Sequence, residues 1–234
     1  MKMPAKIATW LLTFVVCSSG IPTPARAHYL WMERLNPKDA RVFFGEYQEG
    51  VREKSGGRLD KIVGLEAWAW PPGTAEPRPV SWKKKEDHFQ LAQAPGEGTI
   101  LLQDLKYEVM DLTKYAIGIV KPMFYSRYEM KTSGNASQPY FELDILSVPG
   151  KTKAYQVFFQ KKPLPEEKVM VYAPNGWMQE FKTDADGKVL ISTPWPGQYV
   201  VDVVHKEEKD GTYDGRAYTA LRHRCTYVLV QPKQ

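Results

Sequence analysis

The feature that most restricts the fold is the lack of a sustained helical period between residue 28 and the end of the sequence. Short runs rich in β-branched and aromatic residues alternate instead with turn sequences such as Pro71-Pro72-Gly73. This pattern is typical of short strands that pack as sandwiches, so we predict an all-β fold. The segment 104–115 is compatible with either a helical turn or a poorly marked strand. The strands predicted for the first half are 41–44, 61–70, 89–91, 99–102 and 116–120.

A polar stretch of small residues, 132–139, separates the first half from a more regular second half and predicts a linker. The sequence Asp186-Gly187 between two alternating runs predicts a hairpin. Seven strands in about 95 residues are typical of an immunoglobulin-like (Ig-like) sandwich. They are predicted at 141–145, 154–159, 168–172, 181–183, 188–191, 198–205 and 224–230. We therefore expect two β-sandwich-like domains, an N-terminal one over 28–132 and an Ig-like one over 139–231.

The first 27 residues have the pattern of a cleavable signal peptide. Lys2 and Lys6 form a basic start, residues 8–17 form an uncharged apolar run, and Ala25-Arg26-Ala27 fits the cleavage rule for small residues. The apolar run is about ten residues long, whereas a membrane-spanning helix needs about 20. We therefore predict a periplasmic or secreted protein that is cleaved after Ala27 and has no transmembrane segment in its mature chain.

Charge and cysteine content narrow the possible partners. The formal net charge of the whole sequence is +5, and loss of Lys2, Lys6 and Arg26 removes three positive charges and leaves +2. A nearly neutral chain gives no electrostatic reason to expect nucleic acid as a partner. Because Cys17 leaves with the signal peptide, Cys225 has no intrachain disulfide partner, and its place in a predicted strand favours a buried thiol.

Cleavage after Ala27 makes His28 the first residue of the mature chain. The α-amine and the imidazole Nδ1 of an N-terminal histidine can chelate one metal ion together. The α-amine has a pKa near 8, so it can become a ligand close to neutral pH. A further imidazole would complete a three-nitrogen site of the kind that suits copper or nickel.

His205 and His223 are the candidates for that further imidazole. His205 ends one predicted strand and His223 begins the last one, and a hairpin register that pairs 205 with 223 places the two side chains about 5 Å apart. The register is assumed, and a slip of one residue would turn one ring to the other face. His88 lies in a charged turn and is expected at the surface. Two interpretations remain open. The functional one is a metal site of His28, His205 and His223, and the ordinary one is that these histidines are polar residues at strand ends.

No catalytic motif stands out in the sequence, so we do not expect an enzyme. The turn-borne Trp177 and Trp195 leave open a non-catalytic module that binds carbohydrate or another envelope protein. An oxidative copper enzyme that uses the same N-terminal histidine is a third hypothesis, and it would need an open coordination position.

Five short segments, spread in order along most of the mature chain, together carry a resemblance to a known family. They are Ala27-His28-Tyr29-Leu30-Trp31, Tyr125-Ser126-Arg127-Tyr128, Thr183-Asp184-Ala185-Asp186-Gly187-Lys188-Val189, Pro196-Gly197-Gln198-Tyr199 and His205…Tyr218…Arg222-His223. Together they resemble the DUF4198 family, also described as NikM-like periplasmic components of nickel or cobalt uptake.

The resemblance implies an exported, all-β protein with a C-terminal Ig-like, carboxypeptidase-regulatory-like domain and a divalent-metal role. It carries over His28, His205 and His223 as metal ligands. The sequence lacks the fused transmembrane segment of some nickel-uptake proteins, which favours a carrier or uptake accessory. The function that we expect is binding of nickel, cobalt or copper, with a membrane metal transporter as a possible partner.

Overall fold

The computed structural model describes residues 28–36, 39–92, 94, 96–130 and 138–233. Two short 3-10 helices span Arg58–Lys61 and Thr113–Tyr115. The strands of the first half are β1 Tyr29–Asn36, β2 Asp39–Glu46, β3 Val51–Arg52, β4 Leu65–Trp70, β5 Arg78–Pro79, β6 Trp82–Lys84, β7 Phe89–Leu91, β8 Thr99–Asp104, β9 Met110–Asp111 and β10 Ile119–Glu129. Those of the second half are β11 Leu143–Ser147, β12 Ala154–Phe159, β13 Lys162–Pro163, β14 Lys168–Tyr172, β15 Met178–Lys182, β16 Lys188–Leu190, β17 Gly197–Glu207, β18 Gly211–Tyr213, β19 Arg216–Tyr218 and β20 Ala220–Gln231.

The described strands form three packed layers and a small hairpin. The middle layer is a nine-stranded sheet in the order β15-β14-β17-β20-β10-β8-β4-β5, with β9 paired to β10. A five-stranded sheet, β1-β2-β7-β6 with β3 on β2, covers one face. A four-stranded sheet, β11-β12-β13 with β16 on β12, covers the other face. The hairpin pairs β18 with β19. The prediction of an all-β, sandwich-like fold is therefore confirmed.

Side-chain parity along the middle sheet decides which core each residue joins. Successive side chains of a strand point to opposite faces. In β20, Val228 packs toward the five-stranded sheet, whereas Cys225 and Tyr227 pack toward the four-stranded sheet. The neighbouring β17 follows the same rule, with Val200 on the first face and Val201 on the second. Even positions of these two strands therefore face the five-stranded sheet, and odd positions face the four-stranded sheet.

One buried ion pair lies on each face of the middle sheet. On the odd face, Arg127 of β10 donates two hydrogen bonds to Asp144 of β11, at 2.9 and 2.6 Å. On the even face, Arg224 of β20 donates two to Asp202 of β17, at 2.8 and 2.6 Å. Thr226 adds a hydrogen bond of 2.7 Å to the carbonyl oxygen of Leu30. The Arg127–Asp144 pair and the Thr226 hydrogen bond join the outer sheets to the middle one, whereas the Arg224–Asp202 pair joins two strands of the middle sheet.

The two halves of the sequence share the middle sheet. Strand β10 runs parallel to β20 over nine paired positions, from Val120 opposite Ala220 to Tyr128 opposite Val228. The predicted units 28–132 and 139–231 therefore exchange backbone hydrogen bonds within one sheet. Most of the predicted linker falls on residues 131–137, which lie outside the described residues.

Several predicted strands are found where the sequence placed them. The strands predicted at 89–91, 154–159 and 168–172 match β7, β12 and β14 to the residue. The ambiguous segment 104–115 contains both a short strand, β9, and a 3-10 turn. The strand predicted at 61–70 is shorter, because residue 61 still belongs to the first 3-10 helix.

The predicted Asp186-Gly187 hairpin is wrong in one respect. The tight turn forms, since the amide of Gly187 donates to the carbonyl oxygen of Asp184 at 2.9 Å. The two flanking strands nevertheless do not pair with each other: β15 pairs with β14 in the middle sheet, and β16 pairs with β12 in the outer sheet. The turn therefore carries the chain from one layer to the next.

Within the part of the chain that the structure describes, no helix is long and apolar enough to cross a membrane.

Candidate functional site

His205 and His223 lie directly opposite each other on β17 and β20. The register assumed from the sequence is therefore confirmed. Both residues occupy odd positions, so their rings face the four-stranded sheet. The ring of Phe159 packs against both, with centroid distances of 4.4 Å to His205 and 5.1 Å to His223.

Hydrogen bonds already occupy most of the nitrogens of this histidine pair. Nδ1 of His205 contacts Glu167 Oε2 at 2.7 Å. Nδ1 of His223 lies 3.1 Å from the hydroxyl of Tyr125, and Nε2 lies 3.1 Å from Glu207 Oε2. Burial lowers the pKa of His223, although the hydrogen bond and charge of Glu207 oppose this effect. The pair is thus a packed polar cluster whose rings are oriented by separate partners.

His28 lies on the other face of the middle sheet. Its carbonyl oxygen is 3.5 Å from Nη1 of Arg224, and Arg224 points to the even face, as does Thr226 beside it. His223 points to the odd face of the same strand. The structure therefore brings His205 and His223 together and keeps His28 apart from them, with a β-sheet between.

Two carboxylates contact the imidazole of His28 instead. Nδ1 lies 3.3 Å from Oε1 of Glu46, and Nε2 forms an ion pair with Oε1 of Glu53. The guanidinium of Arg58 also approaches Nε2, at 3.2 Å, and lies 4.0 Å from Glu53. The Glu46 side chain is only 4% exposed, so its charge faces His28 in a nearly dry setting.

The three neighbouring strands β1, β2 and β3 place these groups. Tyr29 pairs with Gly45, so His28, one residue earlier, comes level with Glu46, one residue later. Glu46 in turn pairs with Val51, and the amide of Glu53 donates to the carbonyl oxygen of Phe44 at 2.9 Å. Glu46 and Glu53 are not predictable as site residues from the sequence, because only the pairing of these strands brings them to His28.

Gly45 is what allows β2 and β3 to come so close beside Glu46. Its φ is +151°, and a Cβ at this position would lie 2.1 Å from the carbonyl oxygen of Val51. No side chain fits in that space. The glycine thus sets the distance at which Glu46 and Glu53 flank the imidazole.

Two donor atoms at His28 lie close enough together to share one metal ion. Among residues 28–36, 39–92, 94, 96–130 and 138–233, no group of three or more His, Cys, Asp or Glu side chains is arranged to hold a metal ion. Nδ1 of His28 and Oε1 of Glu46, at 3.3 Å, are nevertheless near the separation of about 3 Å that two ligands at right angles on one ion would have. With the α-amine of a processed His28, they would make three donors, so the residues fit a small site of mixed nitrogen and oxygen ligands.

A cavity of about 150 Å³ opens beside His28. Its walls are mostly apolar, and its positive charges come from Arg58, Lys61 and Arg222. Lys61 is paired with Glu108 at the rim. Apolar and aromatic side chains line the interior: Phe44, Tyr107, Met110, Leu112, Ile117 and Phe124.

Arg222 is the unusual member of this lining. Within the described part of the chain its guanidinium forms no hydrogen bond and no ion pair, although its backbone pairs with Pro122 and Lys206 in the sheet. Asp202 attracts it at longer range, but both oxygens of that carboxylate already accept hydrogen bonds from Arg224. Burial, with the nearby charge of Arg224, lowers the pKa of Arg222 to about 10. The guanidinium is therefore charged at neutral pH and faces the cavity without a counter-charge of its own.

The remaining candidates from the sequence lie elsewhere. Trp177 and Trp195 form an edge-to-face pair with centroids 5.4 Å apart, half-buried against the core under the four-stranded sheet. His88 is half-buried and pairs with Asp87 at 2.6 Å. Cys225 is a buried free thiol, which confirms the prediction for it.

Comparisons with known proteins do not place the chain in a family. No family model matches it, and no curated protein matches it. A solved structure that aligns with it is the Bacteroides ovatus mixed-linkage glucan utilization locus SGBP-B in complex with mixed-linkage heptasaccharide, at 8% identity over 84% of this chain with a TM-score of 0.19. The alignment spans 46% of that structure's length. This likeness assigns neither a family nor a function.

Proposed function

We propose that the protein is exported, is cleaved after Ala27, and binds nickel, cobalt or copper at its new N-terminal residue, His28. The observation that carries the proposal is the buried carboxylate of Glu46, which faces Nδ1 of His28 at 3.3 Å. The proposed ligands are the α-amine and Nδ1 of His28 together with Oε1 of Glu46. Within this proposal the protein is a carrier or an uptake accessory, and a membrane metal transporter is its partner.

The position of Glu53 supports this ligand set. A histidine that binds a metal through one ring nitrogen usually donates the other N–H to a carboxylate, which fixes the tautomer and orients the ring. Glu53 pairs with Nε2, so Nδ1 is left as the nitrogen that can accept a metal. Glu46 lies on the Nδ1 side and Glu53 on the Nε2 side, as such an arrangement requires.

The charge balance at His28 also favours a bound cation. Burying a carboxylate is costly unless a positive charge compensates it. A divalent ion on Nδ1 would supply that charge to Glu46. Protons and metal compete for Nδ1 and the α-amine, so we expect affinity to fall as the pH is lowered.

The test compares the mature chain, beginning at His28, with a chain that retains Ala27. Each is titrated with Ni²⁺, Co²⁺ and Cu²⁺ by calorimetry after treatment with a chelator. The retained residue turns the α-amine into an amide and removes one donor, so we expect the affinity to fall at least about tenfold. Glu46→Gln in the mature chain should weaken binding through loss of the carboxylate.

His223→Gln is the matched control, because it changes an imidazole on the opposite face of the sheet. This variant should bind metal as the unaltered mature chain does. Equal affinity of the mature and the Ala27-retaining chains would rule out a site built on the N-terminal amine. Loss of binding in His223→Gln alone would move the site to the His205 and His223 pair.

A further inference from the structure

The mostly apolar lining of the cavity beside His28 contains one positive charge without a partner among the described residues. The charge belongs to Arg222, and Met110, Leu112 and Phe124 are among the side chains that form the chamber. Arg58 and Lys61 stand exposed at the rim, where Lys61 is already paired with Glu108. The cavity therefore offers a ligand two different features. The guanidinium of Arg222 can bind an anionic group, and the apolar side chains can bind a hydrophobic part of the same molecule.

The volume limits the size of that body. An apolar cavity of about 150 Å³ can hold a molecule of the size of benzene. The cavity has about that volume, which is far more than the space that one water molecule occupies. Apolar ligands in such pockets are fixed in orientation by a small number of polar groups. Arg222 is a charged group in this lining whose guanidinium has no partner among the described residues.

The chemistry of Arg222 selects the head group. A guanidinium presents a planar fork of N–H donors that matches the two oxygens of a carboxylate. One unpaired positive charge balances one negative charge, which fits a monocarboxylate better than a doubly charged phosphate. Arg224, the other arginine on this face of β20, is held by Asp202 and is already compensated.

We propose that this cavity binds a small organic monocarboxylate with a ring-sized apolar body, its carboxylate on Arg222 and its body against Met110, Leu112 and Phe124. The site needs no metal. The exposed guanidinium of Arg58 adds a positive charge at the opening, where it attracts the anion.

The test is a titration of metal-free mature protein, in the presence of a chelator, with benzoate and phenylacetate, followed by calorimetry and NMR. Benzamide and benzyl alcohol are the neutral counterparts, and acetate and inorganic phosphate are the anions without a ring. We expect the aromatic carboxylates to bind at least about tenfold more tightly than each of these four control compounds.

Two kinds of variant separate the head group from the body. Arg222→Gln should lower the affinity for benzoate at least about tenfold. The affinity of Arg222→Lys should lie between those of the unaltered protein and Arg222→Gln, because lysine keeps the charge but lacks the planar fork. Leu112→Trp retains Arg222 and fills the cavity, so it should abolish binding. Arg216→Gln, at an exposed arginine of β19 outside the cavity, is the control and should bind as the unaltered protein does.

Some results would overturn the proposal. They are equal binding of benzoate and benzamide, retained affinity in Arg222→Gln, or no binding of any probe to protein that is folded by circular dichroism. Because the titration excludes metal, its outcome is independent of the fate of the proposed metal site.

Discussion

Breaking the buried pair of Arg224 and Asp202 at one partner should strongly destabilise the fold, and this can be tested directly. Both side chains are almost fully buried, at 6% and 3% exposure, and two hydrogen bonds join them. Burial by itself lowers the pKa of Arg224, but the charge of Asp202 and the hydrogen bonds outweigh burial, so this pKa is raised. The guanidinium also lies over the ring of Tyr29, 4.3 Å from its centroid.

Asp202→Asn would leave the positive charge of Arg224 buried without its partner. Removing one member of a buried ion pair costs about 3–5 kcal/mol of the free energy of unfolding. For a chain of this size, about 1 kcal/mol corresponds to about 2–4 °C in Tm, so we expect Tm to fall by roughly 10 °C. The neighbouring Arg222 carries a like charge on the same face, and this adds to the penalty.

The assay is urea unfolding followed by tryptophan fluorescence on Asp202→Asn, Arg224→Met and the double variant. The double variant removes both buried charges, so it should be more stable than the sum of the two single losses predicts, with a coupling of at least about 2 kcal/mol. Glu180→Gln is the control, because it breaks the exposed pair with Lys168 at 2.9 Å and should leave the midpoint unchanged. If Asp202→Asn is as harmless as this control, or if the two losses simply add, the reasoning fails.

Three other residues, Gly45, His223 and Cys225, give further predictions. Gly45→Ala should lower Tm and weaken metal binding to the mature chain, because the new methyl group collides with the carbonyl oxygen of Val51; unchanged calorimetric and thermal profiles would contradict this. Burial lowers the pKa of His223, so the unfolded chain binds a proton first and the free energy of unfolding should decline as the pH falls below about 6.5. Urea midpoints between pH 5 and 8 measure this decline, and the part due to His223 must be missing in His223→Gln. Burial raises the pKa of the Cys225 thiol, so a thiol reagent should label it only after unfolding in urea, and rapid labelling of the native protein would refute its inert role.

Strands that are rich in apolar residues and end at clear turns were predictable from the sequence. The strand at 154–159 is one example, since five of its six residues are apolar or aromatic and a turn follows Phe159. The long strand β10 was not predictable to its full extent. The prediction there ended at residue 120, whereas β10 continues to Glu129. Lys121 and Arg127 lie inside this strand and are buried, and charged residues normally signal the end of a strand.

The partners of those buried charges are distant in sequence, which is why sequence alone could not identify them. Lys121 donates to the carbonyl oxygen of Leu105 at 2.8 Å, and Arg127 meets Asp144 on a strand of another sheet. The same limit applies to the site. The α-amine chemistry of His28 and the pairing of His205 with His223 could be argued from residue order. Glu46 and Arg222 could be recognised as site residues only from the packing of the sheets in the structure.

The position of His28 follows from parity, and parity also explains why His223 of β20 does not reach it. Strand β1 covers the even face of β20, so any side chain of β20 that reaches His28 must come from an even position. Arg222 and Arg224 occupy the even positions nearest to it, and His223 between them points the other way. Arginine does not bind metal, so β20 can supply an anion-binding group at His28 but no second imidazole. In the proposed metal site the further side-chain donor therefore comes from β2, the strand beside β1, which carries Glu46.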